Sequence, residues 1–157
     1  MKKSICFLLL TLGIVSLGYS QVVNDEITLF QAKFGMEKKQ LVEAVMDLSA
    51  SAAPGFWMVY QQYEERRQLL ARERILLINE YLVHYDAIDN EKADFLSKAL
   101  LKNTAARNKL HTQYYKKFKK VVAPREAAKF LQLDNYIHST LRTLVLQELP
   151  FIDEFQE

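Results

Sequence analysis

Apolar positions recur along this chain at intervals of three and four, and little interrupts them. From about residue 27 to 48 the series Phe30, Phe34, Leu41, Val45 and Leu48 predicts a first helix, with Gly35 as a weak spot in its middle. A second helix is expected over about 52–85. Its stripe of Phe56, Tyr60, Tyr63, Arg67, Leu70, Arg74, Leu77, Tyr81 and His84 alternates steps of four and three, the seam of a long helix packed on a partner. Asp86 to Asn90 breaks the pattern, and Asp89 suits the N-cap of a third helix over about 90–121. That helix carries Leu96, Leu100, Asn103, Arg107, Leu110, Tyr114, Phe118 and Val121 on one face. Pro124 lacks an N–H that the first helical position would leave unbonded anyway, so it opens a fourth helix, reaching about 148 before Pro150. Ala127, Phe130, Ile137, Leu141 and Leu144 share its buried row with Asp134.

Three of the helix starts share a device. Leu48-Ser49, Ile88-Asp89 and Val122-Ala123 each set an apolar residue before a capping position, with alanine five residues after it at Ala53, Ala93 and Ala127. A hydrophobic staple closed on a small residue gives tight turns between antiparallel neighbours. The expected fold is therefore all-α: one domain over 21–157, an elongated antiparallel assembly of about four long helices.

The first twenty residues stand outside this pattern. Lys2 and Lys3 precede an apolar run from Ile5 to Leu17, and Gly18-Tyr19-Ser20 places small residues for cleavage before Gln21. This is the layout of a secretory signal peptide, and the run is shorter than the roughly 20 residues a membrane-spanning helix needs. A periplasmic or secreted location follows as the expectation. Cleavage would remove Cys6, the only cysteine, so the exported chain would rest on its core without disulfides. It would also leave 19 basic against 19 acidic residues, a balance that argues against nucleic acid as the main partner. The charge is unevenly spread, however: nine basic residues and a single acid, Glu126, lie between Lys102 and Lys129.

Catalytic signatures are missing from the sequence: it has no G-x-S-x-G elbow, no H-E-x-x-H and no phosphate-binding glycine loop, and the reading is non-enzymatic. His84, His111 and His138 are evenly spaced, which invites a metal-site reading. Helical rise separates His84 from His111 by some 28 Å but brings His111 and His138 to similar heights, making that pair the candidate for a divalent metal. Tyr114, Tyr115 and Phe118 interleave with Lys116, Lys117, Lys119 and Lys120. Tyr114 and Phe118 fit the core. Tyr115 and the four lysines make the candidate client-binding surface, lysines attracting acidic segments and the aromatic ring apolar ones. Arg67, Arg74, Arg107 and Asp134 fall on buried seams and are candidates for a structural ion-pair network.

Across about 100 residues from Ser49 to Leu149 the chain resembles the Spy/CpxP-like superfamily of periplasmic helical proteins. The resemblance rests on DLSASAAPGFWMVYQQYEERR, on LHTQYYKKFKKVVAPREAAKFLQLDNYI and on the stapled helix starts. The family's L-T-x-x-Q motif falls at Leu48-Ser49-Ala50-Ser51-Ala52 and at Val122-Ala123-Pro124-Arg125-Glu126, degenerate in both copies. It implies a four-helix, often dimeric cradle that holds unfolding proteins without ATP, acting as a chaperone or envelope-stress adaptor. The alternatives it implies are a periplasmic metal or stress sensor, and a structural protein-binding module without chaperone activity. Expected partners are unfolded or envelope proteins and a second copy of the chain.

Overall fold

The computed structural model describes residues 26–152, and every regular element among them is helical. The signal-peptide expectation at 1–20 and the acidic end of the chain lie outside the described residues. In order, the helices are α1 (26–34), α2 (Lys38–Met46), α3 (Ala53–His84), α4 (Asn90–Phe118) and α5 (Pro124–Gln147). None is long and apolar enough to cross a membrane.

The single helix expected over 27–48 is two, so five helices replace about four. Gly35 is the reason. It takes φ +69°, a left-handed backbone that side chains disfavour, while its N–H closes the last turn of α1 on the Gln31 carbonyl at 2.8 Å. Two residues later the Gln40 side chain accepts the Glu37 N–H at 3.0 Å and starts α2 in a new direction. Asp47, also left-handed at φ 45°, ends α2.

α3 runs 32 residues, about 48 Å at 1.5 Å per residue. Ser49 does not cap it directly; its carbonyl and hydroxyl accept N–H groups of the turn that leads into Ala53. A short 3-10 turn, Tyr85–Ala87, closes the far end. Asp89 then caps α4, accepting the Lys92 N–H at 2.7 Å. α4 stops at Phe118, three residues before the expected 121, because a tight turn takes over with Lys120 and Val121 bonded to the Lys117 and Phe118 carbonyls. At the start of α5, Glu126 reaches back to the Ala123 N–H at 2.7 Å.

Cross-helix bonds give the topology. Asn103 bonds to the Leu70 carbonyl, His111 to Tyr63 and Tyr114 to the Gln62 carbonyl, so α4 runs antiparallel to α3. Lys38 meets Asp134, and Lys129 meets the Met46 carbonyl, which sets α2 antiparallel to α5.

The core gathers at one end of this arrangement. Phe56, Tyr60 and Tyr63 of α3 stack against Phe118 of α4 and Phe130 of α5, with Val42 and Met46 of α2 closing the side. Ring centroids stand 4.6 Å apart for Phe118 and Phe130 and 5.1 Å for Phe56 and Phe118, both tilted, while Phe130 meets Phe56 and Tyr63 edge-on, a geometry aromatic pairs prefer. Gly55 lets α3 press on the α4–α5 turn: a Cβ there would sit 3.1 Å from that of Val121. Beyond Tyr63, α3 has no fully buried residue for the rest of its length.

Candidate functional site

Three chemically distinct regions follow from this packing: a buried ionic network, a cleft beside it and a basic end.

Asp134 is the hub of the network. Its position on the core-facing row of α5 carries the carboxylate to where α2, α3 and α4 converge, 2% exposed. Four donors meet it there: the Tyr63 hydroxyl at 2.5 Å, His111 Nε2 at 2.9 Å, Lys38 Nζ at 3.0 Å and an Arg107 guanidinium nitrogen at 3.2 Å. Burial alone would raise the pKa of this carboxyl. The Lys38 charge, the bonds from His111 and Tyr63 and the Arg107 charge outweigh it and hold Asp134 well below the usual carboxylate range. Lys38 continues to Glu64 at 2.9 Å, and Arg67 grips Glu64 through a fork of contacts between 2.6 and 2.9 Å before reaching Glu26 at 2.6 Å. Glu64 too resists the desolvation that would raise it, and is drawn down to about 2 by Lys38 and Arg67. Tyr63 moves the other way: burial first, then the Asp134 charge, keep its phenol protonated and fix it as a donor. The hub carboxylate is thus ionised, with three donors on Oδ2 and Lys38 on Oδ1, which suits it to hold helices in register.

Along α3 and α5 from this hub lies a cleft of about 400 Å³. Its walls are largely aliphatic, from Leu70, Ile75 and Ile78 on α3 and Ile137, Leu141 and Val145 on α5. Arg74, Arg107 and Arg142 line it as well. Arg107 shares Asp134, whereas Arg74 and Arg142 make no ion pair with any described residue. Burial, then the neighbouring charges of Arg142 and Arg107, lower the basicity of Arg74. His138, on the same wall, is pushed down to about 3, by burial first and the Arg107 charge next, and is a neutral imidazole.

The third region is the C-terminal end of α4. Lys116, Lys117, Lys119 and Lys120 are exposed and form no salt bridge with described residues. Lys117 lies over the Tyr114 ring at 4.3 Å and Lys119 over the Tyr115 ring at 4.9 Å. Tyr114 is buried; Tyr115 is half-buried against the core, so it offers an edge to solvent rather than a whole ring. Cations also offset the partial negative charge of a helix C-terminus, which gives Lys116 and Lys117 a local stabilising role.

Of the seam charges, Arg67, Arg107 and Asp134 meet in the network, and Arg74 stands apart in the cleft. The histidines have different partners: His84 bonds the Glu80 carbonyl at 2.9 Å, His111 meets Tyr63 and Asp134, and His138 lines the cleft. No group of three or more His, Cys, Asp or Glu residues among those described is placed to hold a metal ion. Sequence reasoning missed Lys38, Glu64 and Glu26. Glu64 had a signal in its i, i+3 spacing to Arg67; Lys38 had none, because the break at Gly35 is what turns α2 to bring it over the hub.

No protein family, curated protein or solved structure matches this chain.

Proposed function

We propose that the chain is a non-catalytic protein-binding scaffold, an ATP-independent chaperone or envelope-stress adaptor that holds unfolded or partner proteins at the basic end of α4. The observation that carries this reading is the set of four exposed lysines, Lys116, Lys117, Lys119 and Lys120, unneutralised by described residues and anchored where the core is tightest. Tyr115 supplies an apolar edge beside them. The resemblance of this stretch to Spy/CpxP-like proteins supports the same role. In the test, the protein is titrated into reduced, aggregating α-lactalbumin, an acidic client, with a chelator present. Substoichiometric suppression of light scattering is expected, weakened by changing the four lysines to glutamate while far-ultraviolet circular dichroism stays unchanged. Suppression that is absent, or indifferent to those four changes, removes the reading.

A second reading, a binding module without chaperone activity, has its own support. Leu69, Leu76 and Val83 stand 61%, 51% and 76% exposed on α3 at seven-residue intervals, the spacing of a helix–helix seam. A second copy of the chain or a partner helix would cover this stripe. Concentration-dependent dimerisation by analytical ultracentrifugation, abolished in Leu76→Glu, with no suppression of aggregation, would select it.

A further inference from the structure

The cleft between α3 and α5 belongs to neither surface just described, and its chemistry is mixed. Aliphatic side chains from both helices make the walls, yet Arg74 and Arg142 present guanidinium groups there without a carboxylate partner among the described residues. Other charges on the cleft do not cancel them. Glu26 is taken up by Arg67, and Asp134 by Lys38 and Arg107. Glu148 is six residues beyond Arg142, about 9 Å farther along α5. His138 adds a neutral imidazole able to donate a hydrogen bond.

A small inorganic anion would pair with the arginines and leave the aliphatic walls bare. A neutral lipid would cover the walls and leave the arginines unpaired. Only an amphiphilic anion satisfies both, and an arginine fork matches a carboxylate or a phosphate; of these a fatty acid is the simplest single-chain amphiphile. The volume, about 400 Å³, falls in the range of roughly 300–1,000 Å³ typical of small-molecule sites and suits one acyl chain rather than two. From Arg74 to Leu82 the lined face of α3 extends about 12 Å, comparable to an extended chain of about ten carbons. We infer that this cleft binds a medium-chain fatty acid, its carboxylate held by Arg74 and Arg142 beside the buried network and its hydrocarbon tail laid between α3 and α5 toward Leu82 and Leu149.

The inference is independent of client binding at the lysines. Its test uses dansyl-undecanoate as a fluorescent probe of the purified protein, displaced by decanoate or by decanol, with decanoate kept below its own aggregation concentration. Saturable probe binding is expected, with decanoate displacing about tenfold or more better than decanol, the loss expected when a charged hydrogen bond is removed. The double variant Arg74→Leu, Arg142→Leu relieves repulsion in the free protein, so it should stay folded, lose about tenfold in decanoate affinity and erase the difference from decanol. Ile78→Trp, which fills the cleft and leaves the arginines in place, should weaken both ligands. The Lys117→Glu variant should bind decanoate as the native chain does. Equal displacement by acid and alcohol, native decanoate affinity in the double variant, or full binding in Ile78→Trp each overturns the inference. Preferential displacement of the probe by a peptide of the chain's own Asp153–Glu157 sequence, or by any acidic amphipathic peptide, also overturns it and assigns the cleft to a protein ligand.

Discussion

The two halves of α3 lie in one unbroken helix and do opposite things. From Phe56 to Tyr63 the seam residues are fully buried among aromatic rings of α4 and α5. Arg67 starts the change, and from Arg74 to Ile78 the helix lines a cleft with half-buried aliphatic and arginine side chains, ending at the exposed Leu82. Periodicity was continuous, so it is the side chains and their neighbours that differ. Large planar rings fill the space between three helices at one end. At the other, a cleft lies between α3 and α5, with Arg74, Arg107 and Arg142 near enough to repel one another. One half therefore carries stability and register, and the other is free to carry a ligand.

Substitutions at the structural half should show the largest effects. Asp134→Ala strands Lys38, Arg107 and the His111–Tyr63 pair in a buried place and should cost about 3–5 kcal/mol in denaturant unfolding. Phe118→Ala, which opens a cavity in the ring cluster, should cost a similar roughly 3–5 kcal/mol. In the open half, Ile78→Ala removes only half-buried methylenes and should cost about 1 kcal/mol. Equal losses in the two halves would end the division.

Acid should reach the two halves in sequence. An unfolded His138 titrates near its ordinary 6.5 and the folded one near about 3, so the unfolded chain binds the extra proton between those values. Stability should then fall as pH drops below 6.5, and fall further below 4.5, where Glu64, held at about 2, and Asp134 are protonated in the unfolded chain first. The groups facing His138 are Arg74 on α3, Arg107 on α4 and Asp134 and Arg142 on α5. Melting temperatures of His138→Gln across this range should lose the upper part of the slope and keep the lower; a variant with the native profile would refute the assignment.

A similarly small effect, well below those of the structural half, is expected at the break between α1 and α2. Gly35→Ala forces a side chain into a left-handed backbone with no neighbour to clash, for a cost of roughly 1–2 kcal/mol read by chemical denaturation. A stabilised variant would mean that α1 and α2 prefer to be one helix.

Helix types and three of four helix positions were legible in the sequence because Phe56 to His84, Leu96 to Phe118 and Ala127 to Leu144 keep their spacing without competition from glycine or proline. Gly35 was legible as a weak spot but not as a break, since its φ is decided by whether α2 can bury Val42 and Met46 against α5. Arg67, Arg107 and Asp134 could be read as seam charges, whereas their convergence with Lys38 and Glu64 needed the fold. Arg74 shows the limit most clearly. It has the same seam position as Arg67, but Arg67 finds Glu64 three residues earlier on α3 and Glu26 on α1, whereas Arg74 pairs with no acid among the described residues, and the Glu26 contact needed the fold.

Native-state hydrogen exchange, read residue by residue by NMR, tests the division of α3 directly. The account requires amides of 59–63, with their partners in 111–118 and 130–137, to exchange only by global unfolding, while those of 76–82 and 141–146 open by smaller local motions. Uniform protection along α3 would contradict it, because a helix equally secured at both ends would have no half left open for binding.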